Sequence, residues 1–348
     1  AFDHNTIVGY SAGEDTTTAA NNTLIGSLSG ETLLTGTDNV CIGYRAMWDL
    51  DAGTTAQGSS SNVIIGSSAG SGAWANQNNS NLVIIGSGAC VGAMEGDTTD
   101  GTLAIGTSAL AALQSGDAIS HADASGTVAI GKSALGALTT GAGNTAVGHE
   151  AAKAITIGQK NTALGFGALL TNVDGDENTA VGYQSLYTYE PGDGEGFNTG
   201  LGYRSGFSMS TGENNLCAGH SAGYYNATGD NNTYVGYKAG YGASGNSNSY
   251  NTGVGKESLK VIETGSNNTA LGQASGIALT TGGGNVIIGQ AAGSATTDVD
   301  NAVIIGRDAA GANMTSAADG TVAVGYAALT ALTTGASNTA VGYQSGTA

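Results

Sequence analysis

The sequence predicts an all-β fold, a parallel β-solenoid (β-roll) of about 19 coils with a base period of 17 residues. Three observations carry that prediction. Nineteen times a Val, Ile or Leu (once Ala218) is followed by glycine, then by two variable residues and an Ala or Ser. Eleven of the eighteen intervals between those glycines are 17 residues; the others are 19, 20, 23 or 25, so the unit swells but never shrinks. Glycine makes up 60 of 348 residues while proline occurs once, at Pro191 in a widened loop. A fixed minimum period with tolerated additions marks a stacked repeat, in which each unit buries its apolar side only against the next. Proline would interrupt the ladder hydrogen bonds of such a stack.

With the glycine as position zero, −4 is Asn in fourteen units, −3 is Thr or aliphatic, and −1 is aliphatic, as in the run from Asn144 to Gly148. Alternation over a short β-branched run predicts a strand with one buried face. This reading puts the −1 aliphatics inside. It puts the small −2 residues (Ala146, Ala163, Ala180, Gly200, Gly253, Ala270) on the outer face, where close packing of several chains would need them. The glycine is a corner, where a side chain would clash or φ must be positive. Asn at −4 in successive coils can form an amide ladder.

After the corner, +3 is Ala or Ser in all nineteen units, a tight spot between coils. Apolar pairs at +4 and +7 (Leu110/Leu113, Leu135/Leu138, Leu259/Ile262, Leu329/Leu332) are too short to hold a helix. They read as a second wall, packing on the −1 aliphatics. A second glycine at −7 in nine of the eleven 17-residue units, often after Thr, is turn chemistry and closes the coil.

The repeat runs the whole length, so residues 1–348 read as a single solenoid domain, expected to be a segment of a longer fibre or a filament subunit. Charged residues are 10% and the net charge is −18, which argues against binding nucleic acid through its phosphates. No apolar stretch reaches membrane-spanning length and no signal peptide is visible, so membrane insertion is not expected. Cys41 and Cys217 at −2 and Cys90 at +4 fall on slots held elsewhere by small or apolar residues, and read as buried thiols.

Chemistry is sparse. Of the histidines His4, His121, His149 and His220, the last two occupy the tolerant slot +1. Nothing assembles a nucleophile and base, so no enzyme activity is expected. The glycine string at Gly192–Gly196 lacks a strand-to-helix context for phosphate. No cofactor is expected. Structural calcium is the one ion the loops invite, at Asp174, Asp176 and Glu177 and at Asp298 and Asp300; Asp97 and Asp100 read as loop charge. Thr fills −3 in ten units, but Val or Leu interrupts the column, so the slot reads as half-buried rather than as an ice-binding display.

The aromatic residues are more informative. Tyr or Phe recurs at +1, and the density rises between 183 and 250. Tyr183, Tyr187, Tyr203, Tyr224, Tyr225, Tyr237 and Tyr241 are the candidate binding residues, because a phenol offers an apolar ring and a polar tip. The plainer reading makes them subunit-interface or gap-filling rings; the sharper one makes them a glycan- or receptor-contacting patch.

Segments such as 126–135 and 320–329 resemble the head repeats of YadA-like trimeric autotransporter adhesins, and the run at Asn178–Leu186 is similar to phage tail-fibre repeats. The resemblance covers nearly the whole chain. It implies a left-handed coil, three chains side by side, and attachment to host surfaces. The family's period is shorter and its Asn sits one place earlier; Asn81 and Asn301 do so here, but most units do not follow that pattern.

The function expected is therefore a structural, non-enzymatic surface fibre or adhesin module, extracellular or on a virion, homo-oligomeric and contacting a host receptor or glycan. The alternative is a self-assembling extracellular filament stacking end to end. A glycan-degrading tailspike-type solenoid ranks last, because no acidic column recurs at one repeat position.

Overall fold

The computed structural model describes residues 3–48, 58–72, 79–92, 101–113, 125–191, 196–245 and 247–347. They fall into two compact units, Ala1–Glu177 and Asn178–Ala348. The protein is an all-β parallel solenoid built from three-residue strands, each ending at the residue before a corner glycine.

Among the described residues of the first unit, nine strands run from Thr6–Val8 to Thr162–Leu164, each paired in parallel with its neighbour in chain order. Equivalent positions face each other, as in Ala146 opposite Ala163 and Val147 opposite Leu164. The second unit repeats this with ten strands, Thr179–Val181 to Thr339–Val341. A single 3₁₀ turn at Ser316–Ala318 lies in one of the longer coils. Residues seventeen apart do sit over one another within each unit.

The direction of the strand side chains is the reverse of the sequence expectation. The −2 residue points inward: Ala146, Ala180, Cys41, Ile64 and Tyr234 are all buried. The −1 and −3 residues point outward, and Leu164, Leu201 and Leu271 are 46%, 40% and 48% exposed. The reason is volume. Each coil also turns Asn144, Ala151, Ala152 and Ile155, at −4, +3, +4 and +7, into the same interior. Two further β-branched side chains per coil do not fit there. The +4 and +7 residues therefore pack on −2 rather than −1: Cys41 Sγ lies 3.5 Å from Met47 Sδ within one coil. Where −2 is large, its neighbours shrink. Tyr234 fills its layer because Gly223, Gly240 and Gly253 surround it; a Cβ on Gly253 would come within 3.0 Å of the ring.

The −4 asparagines form the ladder. Asn268 Nδ2 donates to Asn251 Oδ1 at 3.0 Å and to the Gly282 carbonyl at 2.9 Å. Its Oδ1 accepts from the Asn285 backbone N–H at 3.1 Å and from Asn285 Nδ2 at 2.9 Å. Two donors and two acceptor sites are thus all used in a buried position, the condition under which a core amide stabilises. Asn39 does the same between Asn22 and Asn62. The ladder stops where the residue changes: Asn62 Oδ1 meets only the Leu82 N–H, and Asn285 Oδ1 the Ala302 N–H.

The corner glycines all have φ between 129° and 145°. At Gly219 a Cβ would stand 2.4 Å from the Gly236 carbonyl oxygen of the next coil, so conformation and space both exclude a side chain. Less expected is a left-handed residue at +2 and +4 of the coil even where it is not glycine, as at Arg204, Lys238, Leu110 and Leu186. Two such residues bracketing a buried +3 make the tight bend that turns +3 and +4 inward while +1 and +5 face out.

Candidate functional site

The bend after the corner is laddered like the strand. The Arg204 N–H donates to the Tyr183 carbonyl at 2.9 Å, Ser221 N–H to Tyr203, and Lys238 N–H to His220, both also at 2.9 Å. One residue pair later the Ser208 N–H donates to the Tyr224 carbonyl at 2.8 Å and Tyr225 N–H to Tyr241 at 3.0 Å. Backbone pinning at one-coil intervals places the +1 side chains in one column and the +5 side chains in another.

From Gly182 to Tyr241 in the second unit both columns are aromatic. At +1, Tyr183 stacks on Tyr203 with centroids 5.3 Å apart and planes 7° from parallel; Tyr203 stacks on His220 at 4.8 Å, and His220 lies against Tyr237 at 5.3 Å. At +5, Tyr187, Phe207, Tyr224 and Tyr241 follow at 5.1, 5.0 and 5.1 Å. Tyr225 meets Tyr224 and Tyr241 edge-on. The structure thus brings all seven sequence-predicted tyrosines onto one wall, and adds His220 and Phe207. Partial burial pushes the Tyr224 and Tyr241 hydroxyls above the usual phenol range, with Arg204 pulling Tyr224 the other way. These rings lend their faces to one another. Tyr183, Tyr203 and Tyr237 each stay 42% exposed, so with their faces stacked they offer a ligand ring edges and phenol groups rather than a stacking platform.

Cations lie between the columns. Arg204 sits over Tyr203 and Phe207 at 5.2 and 5.1 Å, and Gln184 Oε1 accepts from its Nε at 2.9 Å. Lys238 sits over Tyr237 and Tyr241 at 5.4 and 5.2 Å. The first unit holds the same trio once: Arg45 lies 5.1 Å from Tyr44 and 4.1 Å from Trp48. Contacts of this length hold a cation at roughly 0.5–2 kcal/mol without neutralising it.

The signal for these cations was present in the sequence and went unread. Of nine Lys and Arg, three stand at +2 (Arg45, Arg204, Lys238), three at +1 (Lys132, Lys256, Arg307) and two at +5 (Lys153, Lys260). Lys160 alone lies elsewhere, paired with Glu177 at 2.8 Å. All three +2 cations follow a Tyr at +1 and precede an aromatic residue at +5.

Contrary to the sequence expectation, acidic residues do recur at one repeat position, −6, where the following four carboxylates accept hydrogen bonds from backbone N–H groups of the neighbouring coil. Asp176 accepts from the Gln159 N–H at 2.6 Å, Asp230 from Glu213 at 2.9 Å, Asp300 from Gly283 at 2.7 Å and Asp319 from Asp300 at 2.8 Å. Among the described residues no three His, Cys, Asp or Glu side chains gather as a metal site. Asp97, Asp100, His121 and residues 192–195 of the glycine string lie outside the described residues. The three cysteines are free and buried, and burial pushes each thiol up to about 12. No described helix is long and apolar enough to cross a membrane.

No protein-family model matches the chain, and no curated protein is significantly similar to it.

Proposed function

We propose that this chain is a structural, non-enzymatic module of a surface fibre or adhesin, extracellular or on a virion, that attaches its bearer to a host or surface. The observation that carries this reading is the outward face of the sheet. Parallel sheets are ordinarily covered on both faces. Here the coil interior covers one, and the other presents columns of Val, Ile, Leu and Thr, with Ala218 the one small residue at −1. The columns are most apolar along Val63–Ile65, Val83–Ile85, Leu103–Ile105 and Val128–Ile130. An apolar wall of this kind is what a protein partner covers. Further copies of the same chain are the occupant that a repeated, self-similar face fits best, and the likeness of the repeat to trimeric adhesin heads makes three the expected number. The aromatic wall, on a different part of each coil, is then left to meet a receptor or glycan, and many copies multiply a weak contact.

The test is the solution mass of the whole chain by light scattering. A trimer is expected, and the pair Ile65→Lys with Ile85→Lys should shift it to monomer while the circular dichroism spectrum is retained. A monodisperse wild-type monomer sinks the proposal.

A further inference from the structure

We propose that the aromatic wall of the second unit binds a linear anionic polysaccharide, one carrying a carboxylate on every second sugar, with Arg204 and Lys238 as its anion-binding residues. The proposal rests on the contact-surface part of the reading above and names its ligand.

Charge is the first support. The chain has 27 acidic and 9 basic residues, yet from Gly182 to Tyr241 the slots +1, +2 and +5 hold no carboxylate. Several cations elsewhere are paired: Lys153 with Glu150, Lys160 with Glu177, Lys260 with Glu257 and Arg307 with Asp308. Among the described residues no carboxylate lies within ion-pair distance of Arg204 or Lys238; rings and Gln184 hold them instead. A half-buried cation kept in place without a direct carboxylate partner is a site for an incoming anion, and a guanidinium fork suits a carboxylate. Glu257 in the next coil, bonded to Lys260, acts on Lys238 only through its charge, and Arg204 is the barer of the two.

Ring geometry selects the kind of polymer. A nucleic acid strand is held by stacking its bases on open aromatic faces, and here those faces are closed by ring-on-ring stacking at about 5 Å. Exposed phenol edges and hydroxyls suit the hydroxyls of a sugar chain. Spacing agrees. Arg204 and Lys238 occupy the same slot two coils apart, which at the strand spacing of a sheet is about 10 Å. That is the advance of two β-linked pyranose rings, and much sparser than the phosphates of a nucleic acid.

The experiment titrates the intact chain with three probes: a hyaluronan decasaccharide, a neutral chitohexaose and a single-stranded oligothymidylate. The hyaluronan oligomer is expected to bind, to weaken on raising salt, and to weaken at least tenfold in the variant Arg204→Gln with Lys238→Gln. Replacing Lys132 by Gln, away from the trios, should leave its affinity unchanged. Equal binding of chitohexaose, tighter binding of oligothymidylate, unchanged affinity in the double variant, or no hyaluronan binding would each overturn the proposal. Light scattering on the same samples keeps the two readings apart. A trimer that ignores hyaluronan overturns only the ligand, whereas a monomer that binds it overturns only the fibre.

Discussion

Two stretches of the molecule use the same coil to opposite ends. Along Val63–Ile65, Val83–Ile85, Leu103–Ile105 and Val128–Ile130 the outward strand face is wholly aliphatic. The +1 slot there carries Ser67, Ser87, Thr107 and Lys132, and −4 passes from Asn62 to Leu82, Thr102 and Thr127. Along Thr199–Leu201 to Thr269–Leu271 the −4 amide ladder is continuous from Asn198 to Asn268, −3 is mostly Thr, and the stacked rings occupy +1 and +5. Backbone geometry is the same in both, so the coil does not dictate its surface. One stretch offers an apolar sheet face, the other a polar-tipped aromatic wall.

The largest expected effect tests what the two stretches share. Gly219→Ala drives a Cβ into the Gly236 carbonyl, and Gly86→Ala does the same against Gly106 at 2.5 Å. Each should cost on the order of 4 kcal/mol, combining the strain of a side chain at positive φ with a backbone clash that only coil separation relieves. Urea denaturation followed by circular dichroism would read it; a tolerated alanine at either corner would mean the coils are not in contact there.

A smaller pair of substitutions should have opposite signs. Asn232 gives Nδ2 to Asn215 Oδ1 and the Asn248 carbonyl, and takes hydrogen bonds from the Asn251 backbone and side chain. Asn232→Ala strands several buried groups and should destabilise by about 3 kcal/mol. In the aliphatic stretch the same slot holds Thr127, whose hydroxyl is buried without a protein partner. Thr127→Val removes that orphan at constant shape and should stabilise by about 1 kcal/mol. Denaturation midpoints that move the same way for both would erase the distinction between the stretches.

A pH dependence is common to both stretches. Burial raises the thiols of Cys41, Cys90 and Cys217 from 9.0 to about 12, and raises the Tyr234 hydroxyl as well. Above pH 9 the unfolded chain loses these protons while the folded one keeps them. The unfolded state then binds fewer protons, so stability is full below that point and declines as pH rises toward 12. A flat urea midpoint between pH 8 and 11 would contradict the dry interior.

Much of the fold could be read directly from the chain. The 17-residue spacing predicted the stack, the conformation and crowding of Gly219 are those of a corner, and Asn268 makes the ladder bonds its repeat position implied. The reading went wrong where hydrophobicity was taken as a guide to direction. Val147 is more apolar than Ala146, but −2 is the one inward slot of the three-residue strand whatever its size, Ile64 and Tyr234 included, and the flanking −1 and −3 residues stay outside. It also missed the left-handed residues at +2 and +4, since nothing about Arg204 or Leu186 marks such a conformation the way glycine does. The tyrosines of the site were legible as a density of rings. Their stacking was not, because it depends on the +2 backbone pinning each +1 residue to its neighbour. The cations were legible in principle, through a repeat position rather than a local motif.

The position of the extra residues has a consequence of its own. Each interval longer than 17 adds its residues between +7 of one coil and the strand of the next, as the 3₁₀ turn at Ser316–Ala318 does. Neither the strand nor the tight bend is touched by such an addition. One edge of every rung is thus open to grafted sequence, so a foreign epitope or tag placed between Gly265 and Asn267 should be carried outward in regular array, with its copy number set by how many rungs receive it.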